Sequence, residues 1–279
     1  MFVIESAGIT DVGIKRKTNE DALLVDDELG LYVVADGMGG HRAGEVASKL
    51  VVETLKDFIG HNLKSENKKE LDGSDQTLSN AANRILSGIR VSNKAVYQLS
   101  RNEEKYRGMG STVSILYFNE RTLVAANVGD SPIYLVHQGN IELLSVPHTV
   151  MAEHAAIDPE NAHQLGEEYK HMLTRAMGAE ETVKADICEI PYFKDDVLII
   201  SSDGLSDCVS PEEIMDVAAN DSADKACQSL INLANRRGGY DNVTVILLKI
   251  KQEKHNQHGM KRLISKGVEG LAKITSKKE

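Results

Sequence analysis

Through its middle the chain alternates short apolar runs with turns of only a few residues. Val- and Ile-rich stretches at 31–36, 111–118, 122–128, 133–137, 141–144, 197–202 and 242–250 have the length and composition of strands. The connections FNER at 118–121 and HQGN at 137–140 are hairpin-sized, too short for a parallel crossover, so the centre predicts an antiparallel meander. A helical apolar period appears instead at 44–59, 78–100, 211–219 and 223–236. Ser210 precedes Pro211 as a natural N-cap, and Glu212 and Glu213 fall in the first turn, where the helix dipole favours them. Helices on both sides of a strand-rich centre predict an α+β fold with helices covering sheet faces. The polar stretch GHNLKSENKKELDGSDQT at 60–77 reads as an exposed linker, and no internal repeat is present.

Composition narrows the function classes. The 279 residues are 41% hydrophobic and 27% charged, an ordinary globular balance with ample material for a core. Aromatics make up 4%, Trp is absent and the net charge is −10, which argues against base stacking and against phosphate-backbone binding. A surplus of carboxylates suits cation binding instead. Cys188, Cys208 and Cys227 have no paired spacing, as expected of reduced thiols in a cytoplasmic protein. The first residues lack a basic segment followed by an apolar one, and no apolar run reaches the roughly 20 residues that span a bilayer. From Lys251 onward the balance reverses, with eight Lys or Arg against three Asp or Glu. Within that tail, Leu263, Val268, Leu271 and Ile274 have near-helical spacing. The segment is either a solvated tail or a basic amphipathic helix for a membrane surface or partner protein, and Gly267 and Gly270 weaken the helix.

The chemistry concentrates where strands end. Leu31 to Asp36 delivers a carboxylate into DGMGG, and Val197 to Ser202 delivers Asp203 into SSDGLSD. Gly238 and Gly239 lead to Asp241 just before an apolar strand, Asp130 follows Gly129 between two strands, and Glu20-Asp21 precedes another apolar run. Each acid alone is an ordinary turn residue. Five such sites at the edges of the most apolar strands can converge on one end of a sheet pair. Carboxylates gathered there repel unless protonated or neutralised by cations. Without His or Cys among them, an oxygen donor set selects hard ions, magnesium or manganese over zinc.

Six motifs occur in order: DGMGG at 36–40, GMGSTV at 108–113, ANVGDS at 126–131, LTRAMG at 173–178, SSDGLSD at 201–207 and GGYDNVTV at 238–245. Together they resemble the metal-dependent protein phosphatase family, the type 2C Ser/Thr phosphatases, in its bacterial form. The resemblance runs from Gly8 to Ile250 and implies a catalytic domain over 1–250 with a basic tail over 251–279. It further implies a four-layer α-β-β-α sandwich of two antiparallel sheets flanked by helices, with a two-metal site at one end. By position, Asp36 would bridge two Mn2+ or Mg2+ ions, with the Gly37 carbonyl on one of them. Asp203 and Asp241 would ligate the other, and Glu20 and Asp21 would act through metal-bound waters. Asp130, with Asp203, matches the acids that hold a third, weaker ion. Arg16 matches the phosphate-clamping arginine, whose fork suits a dianion, whereas Lys15 and Lys17 read as solvated charges.

The implied reaction is hydrolysis of phosphoserine and phosphothreonine on proteins, by direct attack of a hydroxide bridging the metals. The implied partners are phosphorylated Ser/Thr proteins, including a Ser/Thr kinase or its substrates, and no nucleic acid. No cysteine is followed six positions later by Arg, so a cysteine-phosphatase loop is absent. Animal members place a histidine two residues after the bridging Asp, where this chain has Met38. His41 is either a leaving-group acid or a structural residue at the start of the next helix. Pro132 stands where relatives usually carry Arg, and Pro147 where they usually carry Asp. Both departures, and a loosely matched segment over 150–171 at the family's mobile flap, bear on substrate selection and on the third ion. The competing reading is a catalytically weak relative that binds phosphoproteins as a regulator. Such a relative would typically have lost bridging acids, and here they are present.

Overall fold

Strand pleating sorts the apolar side chains into three cores. The structure, a computed structural model, describes residues 2–39, 43–64, 74–119, 122–159, 165–166 and 169–252. One sheet has the order β1-β11-β10-β7-β8, built from β1 (Phe2–Asp11), β11 (Val243–Gln252), β10 (Val197–Ser201), β7 (Ile133–His137) and β8 (Asn140–Leu143). The other runs β2-β3-β5-β6-β9, from β2 (Asp21–Asp26), β3 (Leu31–Met38), β5 (Val113–Phe118), β6 (Leu123–Val128) and β9 (Asp186–Ile190), with the short β4 (Gly110–Ser111) paired to the end of β3. All the strand pairings are antiparallel.

Alternate residues on each strand face opposite sides. On β3, Tyr32 and Val34 join Leu116, Ile133, Leu198, Ile200 and Ile246 in the core between the sheets. Leu31, Val33 and Ala35 face the other way, onto Val51, Leu55, Ile85 and Ile89 of α1 (Ala43–Lys64) and α2 (Asn80–Asn102). Across the molecule, Ile199, Val245 and Leu247 pack on Ile214, Leu230 and Ile231 of α5 (Pro211–Asn220) and α6 (Ala223–Arg236). The result is the expected α-β-β-α layering.

Most predicted elements occur with shifted ends. Ser79 caps α2 by accepting the Ala82 N–H, so that helix begins at Asn80, two residues later than predicted. Ser210 and Glu213 form a reciprocal capping box at the start of α5. The predicted linker is corrected at its start, because α1 continues through Gly60 to Lys64; its residues 65–73 lie outside those described. Packing of the helix overrides the roughly 1 kcal/mol cost of an interior glycine. Strands β1, β2 and β9 and the helices α3 (Val150–Ile157) and α4 (Asp203–Ser206) were not predicted as elements. β1 is fixed by ten residue pairs with β11, a partner more than 230 positions away that no local pattern announces. β11 carries the ordered sheet to Gln252, two residues past the expected boundary, and the basic tail over 253–279 lies outside the described residues. Among the described residues no helix is long and apolar enough to cross a membrane.

The inter-sheet layer carries the packing energy that sets the two sheets face to face. Truncating the fully buried Ile200 to Ala should cost about 2–5 kcal/mol in urea unfolding, with a change of under about 1 kcal/mol contradicting that role.

Candidate active site

At one end of the inter-sheet layer the alternation of Tyr32 and Val34 continues to Asp36, on the same pleat face but now a carboxylate. Asp21, opposite Asp36 in the β2–β3 register, continues the face of Leu23 and Val25 in the same way. Two turns from the other sheet meet them. Asp203 opens α4 directly after β10, and Asp241 lies just before β11. The two turns are in contact: a Cβ added to Gly204 would collide with the Asn242 carbonyl and approach Asp241 Cβ at 3.4 Å.

The backbone around Asp36 is clamped by the segment after Met109. Asp36 N–H donates to Thr112 Oγ1 at 3.0 Å, Thr112 N–H donates to the Asp36 carbonyl at 2.8 Å, and Ser111 Oγ donates to that carbonyl at 3.0 Å. Gly37 has no room for a side chain, since a Cβ there would strike the Gly44 and Glu20 carbonyls. Asp21 bridges the sheets through one oxygen, Oδ2, which accepts from Ser202 Oγ at 2.7 Å and Thr244 Oγ1 at 2.6 Å. Its Oδ1 is buried with no partner among the described residues, and so is Asp203 Oδ1.

Burial and crowding dominate the electrostatics. Asp36 is pushed well above the usual carboxylate range by burial, then by Asp21, Asp203, Asp241 and Asp130 around it. Burial raises Asp21 to about 6 and Asp130 to about 7, with neighbouring acids adding to the shift. Glu20 is also raised, chiefly by burial. Burial pushes Asp203 upward too, but hydrogen bonds with His171 and with Asp36 outweigh it, and its carboxyl is held below the ordinary value. Two buried carboxylate oxygens without a donor, among acids crowded enough to resist ionisation, are what a divalent cation would neutralise. Oxygen donors of this kind fit Mg2+ or Mn2+.

The remaining expected residues line the rim. Arg16 Nη2 donates to Asp241 Oδ2 at 2.7 Å, while Lys15 and Lys17 are exposed. Glu20 N–H donates to Asn242 Oδ1 at 2.8 Å, and Asn242 Nδ2 donates to the Val12 and Thr18 carbonyls at 2.9 Å each. Asn242 thus holds both ends of the loop that carries Arg16. Asp130 groups with Asp203 and His171, one ligand atom of each lying within 4.8 Å of the others. Pro132 leaves the Asp130 turn anchored through its carbonyl, which accepts the Ser201 N–H at 3.2 Å. His41 lies outside the described residues.

Three neighbours of these acids escaped the sequence reading. His171, from the segment after α3, places Nδ1 3.6 Å from Asp203 and Nε2 3.4 Å from Asp207. His148 is fully buried; its Nδ1 accepts the Gly129 N–H at 3.0 Å and its Nε2 pairs with Asp186 at 2.7 Å. Arg175 completes that chain at 2.7 Å from Asp186, so β9 fixes the residue immediately before Asp130. The motif letters PHT and LTRAMG marked His148 and Arg175, but only folding reveals that they share Asp186. No local signal marked His171.

Comparisons with known proteins bear on the chain as a whole. The family model described as protein phosphatase 2C matches residues 14–247. The chain is 30% identical over 258 residues to protein phosphatase PhpP of Streptococcus pneumoniae, covering 90% of this chain and 99% of the relative. It superposes on the serine/threonine phosphatase PstP/Ppp of Mycobacterium tuberculosis with a TM-score of 0.76 and 30% identity, over 89% of this chain and 99% of the other. A catalytic domain of PstP in complex with two manganese ions gives the same TM-score at 28% identity, over 90% of this chain and 100% of the other.

The crowded acids set a pH dependence for the metal-free protein. Asp21 and Asp130 titrate higher folded than unfolded, so the native state holds extra protons between about pH 4 and 7 and loses stability as pH rises through that window. His148, lowered mainly by burial, opposes this as a single group. The melting temperature without divalent ions should therefore fall from pH 5 to pH 8, and Mn2+ at pH 8 should restore it. A flat profile unaffected by Mn2+ would contradict the crowding.

Proposed function

The chain belongs to the protein phosphatase 2C family and is a metal-dependent serine/threonine protein phosphatase, and from that premise we propose that its reaction runs at the acid-lined end of the sandwich. The observation that carries this reading is the pair of orphaned buried oxygens, Asp21 Oδ1 and Asp203 Oδ1, beside the half-buried Asp36. Two Mn2+ or Mg2+ ions are the cofactors. Asp36 would reach both ions, with the Gly37 carbonyl on one and Asp203 and Asp241 on the other. Asp21 and Glu20 would act at one remove, and Asp130 with Asp203 would serve a third, weaker ion. When bound, the ion pair supplies electrophilic charge for the phosphate oxygens and a strongly acidified water at neutral pH.

The chain's own side chains do the positioning. The Ser202 and Thr244 hydroxyls both donate to one oxygen of Asp21, which leaves Oδ1 without a partner among the described residues. Ser111 and Thr112 fix the Asp36 peptide, so its carboxyl has little freedom left to lose on binding. Arg16 has a planar fork at the rim, and one arm already rests on Asp241. A phosphate dianion arriving there would meet two parallel N–H donors, and the same donors would stabilise charge on the transferring oxygens. The phosphorylated serine or threonine stays on its protein, so attack at phosphorus requires only that the ester oxygen leave in line.

Several broader features belong to the same reading. The substrates are phosphorylated Ser/Thr proteins, among them a Ser/Thr kinase or that kinase's own substrates. A cytoplasmic setting agrees with three free cysteines. Residues 1–250 would form the catalytic unit, and the basic tail would contact a membrane surface or a partner protein.

Asp203→Asn should abolish Mn2+-dependent release of p-nitrophenol from p-nitrophenyl phosphate while leaving the circular dichroism spectrum unchanged; retention of most of the activity would refute the assignment. Arg16→Ala should raise KM for phosphate esters roughly tenfold, the scale of one lost charge-assisted contact, with Mn2+ occupancy retained. Unchanged kinetics would remove Arg16 from the site.

A further inference from the structure

Met38 stands two residues beyond Asp36 on the same pleat face, about 7 Å further along the strand. It also lines a cleft of about 770 Å³ whose lining, among the described residues, includes neither Arg16 nor the acids of the cage. One wall of that cleft carries Arg101, in the last turn of α2, and Arg107, just after it. The facing wall carries Glu180 and Glu181. A charge at a helix C-terminus explains Arg101 alone. It does not explain a second arginine across the turn lining the same space, nor the two glutamates facing them.

Both walls are fixed in advance. Buried Asn93 of α2 donates to the Glu180 and Glu181 carbonyls at 3.1 Å each, and its Oδ1 accepts the Gly178 N–H at 2.8 Å. Gly178 has φ +81°, and an added Cβ would collide with Val96, so this wall lies directly against α2. On the other side, buried Ser100 accepts the Gly108 N–H at 3.0 Å, and Met109 is buried beneath the loop that carries Arg107. The side chains of all four charged residues remain exposed. Arg107 pairs at 3.1 Å with Glu104, in a contact open enough to solvent to be exchanged at little cost, and Arg101 has no polar partner among the described residues.

We propose that this cleft is a substrate subsite that reads an oxyanion two or three residues away from the phosphorylated residue. The inference rests on the phosphatase reading and adds a sequence preference to it. An extended peptide advances about 3.3 Å per residue, so a phosphoresidue held at the acid cage delivers its second or third neighbour to Met38 and the cleft beyond. There Arg101 and Arg107 grip a carboxylate or a second phosphate in bidentate fashion, and the glutamate wall repels the same group from the opposite side. The pair of walls orients the peptide as well as binding it. A protein of net charge −10 with an acid-rich centre repels anionic chains, and the arginine wall is a local exception through which an acidic substrate segment is admitted.

The test uses alanine-rich phosphothreonine peptides with Glu, phosphoserine or Lys placed two or three residues to either side, turned over by the full chain with Mn2+. At one of these four offsets the parent enzyme should favour Glu over Lys by roughly tenfold in kcat/KM, the value of one good charge-assisted contact. Phosphoserine, exceeding Glu at the same offset, would mark a second phosphate as the group read; equality would mark a carboxylate. R101E/R107E should reverse the Glu-to-Lys ratio, and the milder R101Q/R107Q should bring it close to one. Because the ratio is taken within each variant, a general loss of fold or metal leaves it unmoved. A parent ratio near one at all four offsets, or a ratio unchanged in both variants, overturns the subsite. Failure of the parent to hydrolyse p-nitrophenyl phosphate with Mn2+ would instead overturn the phosphatase reading beneath it.

Discussion

Like charges forced together out of water are the constraint on which this structure turns. Asp21, Asp36, Asp130 and Asp203 occupy one end of an otherwise apolar layer between two sheets, and burial there raises three of the four. Each could be satisfied singly by a few hydrogen bonds. Gathered, they cannot all ionise without an external positive charge. The fold therefore stores an electrostatic deficit at a fixed place, which divalent ions held there would offset. Binding of the cofactor and stability of the sandwich are two readings of one free energy.

That deficit can be held only by a stiff frame. The same alternation that sends Tyr32 and Val34 into the inter-sheet core sends Asp36 into the cage, so the acid's direction is set by the packing of its neighbours. Glycines permit the close approaches: Gly37 lies against the Gly44 and Glu20 carbonyls, and Gly204 against Asn242. Hydroxyls and amides complete the frame, with Thr112 on the Asp36 peptide, Ser202 and Thr244 on Asp21, and Asn242 on the Arg16 loop. The acids and the Arg16 loop are thus held by hydroxyls and amides of neighbouring segments. The arginine-lined cleft beside Met38 extends the same design outward, with its walls fixed by Asn93 and Ser100 before any peptide arrives.

The legibility of this arrangement in the sequence followed the range of the interactions. The central hairpins and four helices were written in local periodicity and capping, and Ser210 with Pro211 marked the start of α5 to the residue. The strand-end acids were visible one by one, three of them (Asp36, Asp130 and Asp203) directly beside a glycine, and six ordered motifs tied them into a single family pattern. β1 was not visible, because its ten pairs are all with β11 at the other end of the chain. Nor was the sharing of Asp186 by His148 and Arg175, or the approach of His171 to Asp203, since both depend on loops brought together by the tertiary fold. The cleft was equally silent: Arg101, Arg107, Glu180 and Glu181 look like surface charge until α2 and the Gly178 loop are seen side by side.

The most direct test of the central claim is an anomalous-difference map from a crystal of the full chain grown with Mn2+. The account predicts two strong peaks sharing the Asp36 carboxylate, one of them also contacted by Asp203 and Asp241. Manganese bound elsewhere, with Asp36 left protonated and untouched, would contradict it.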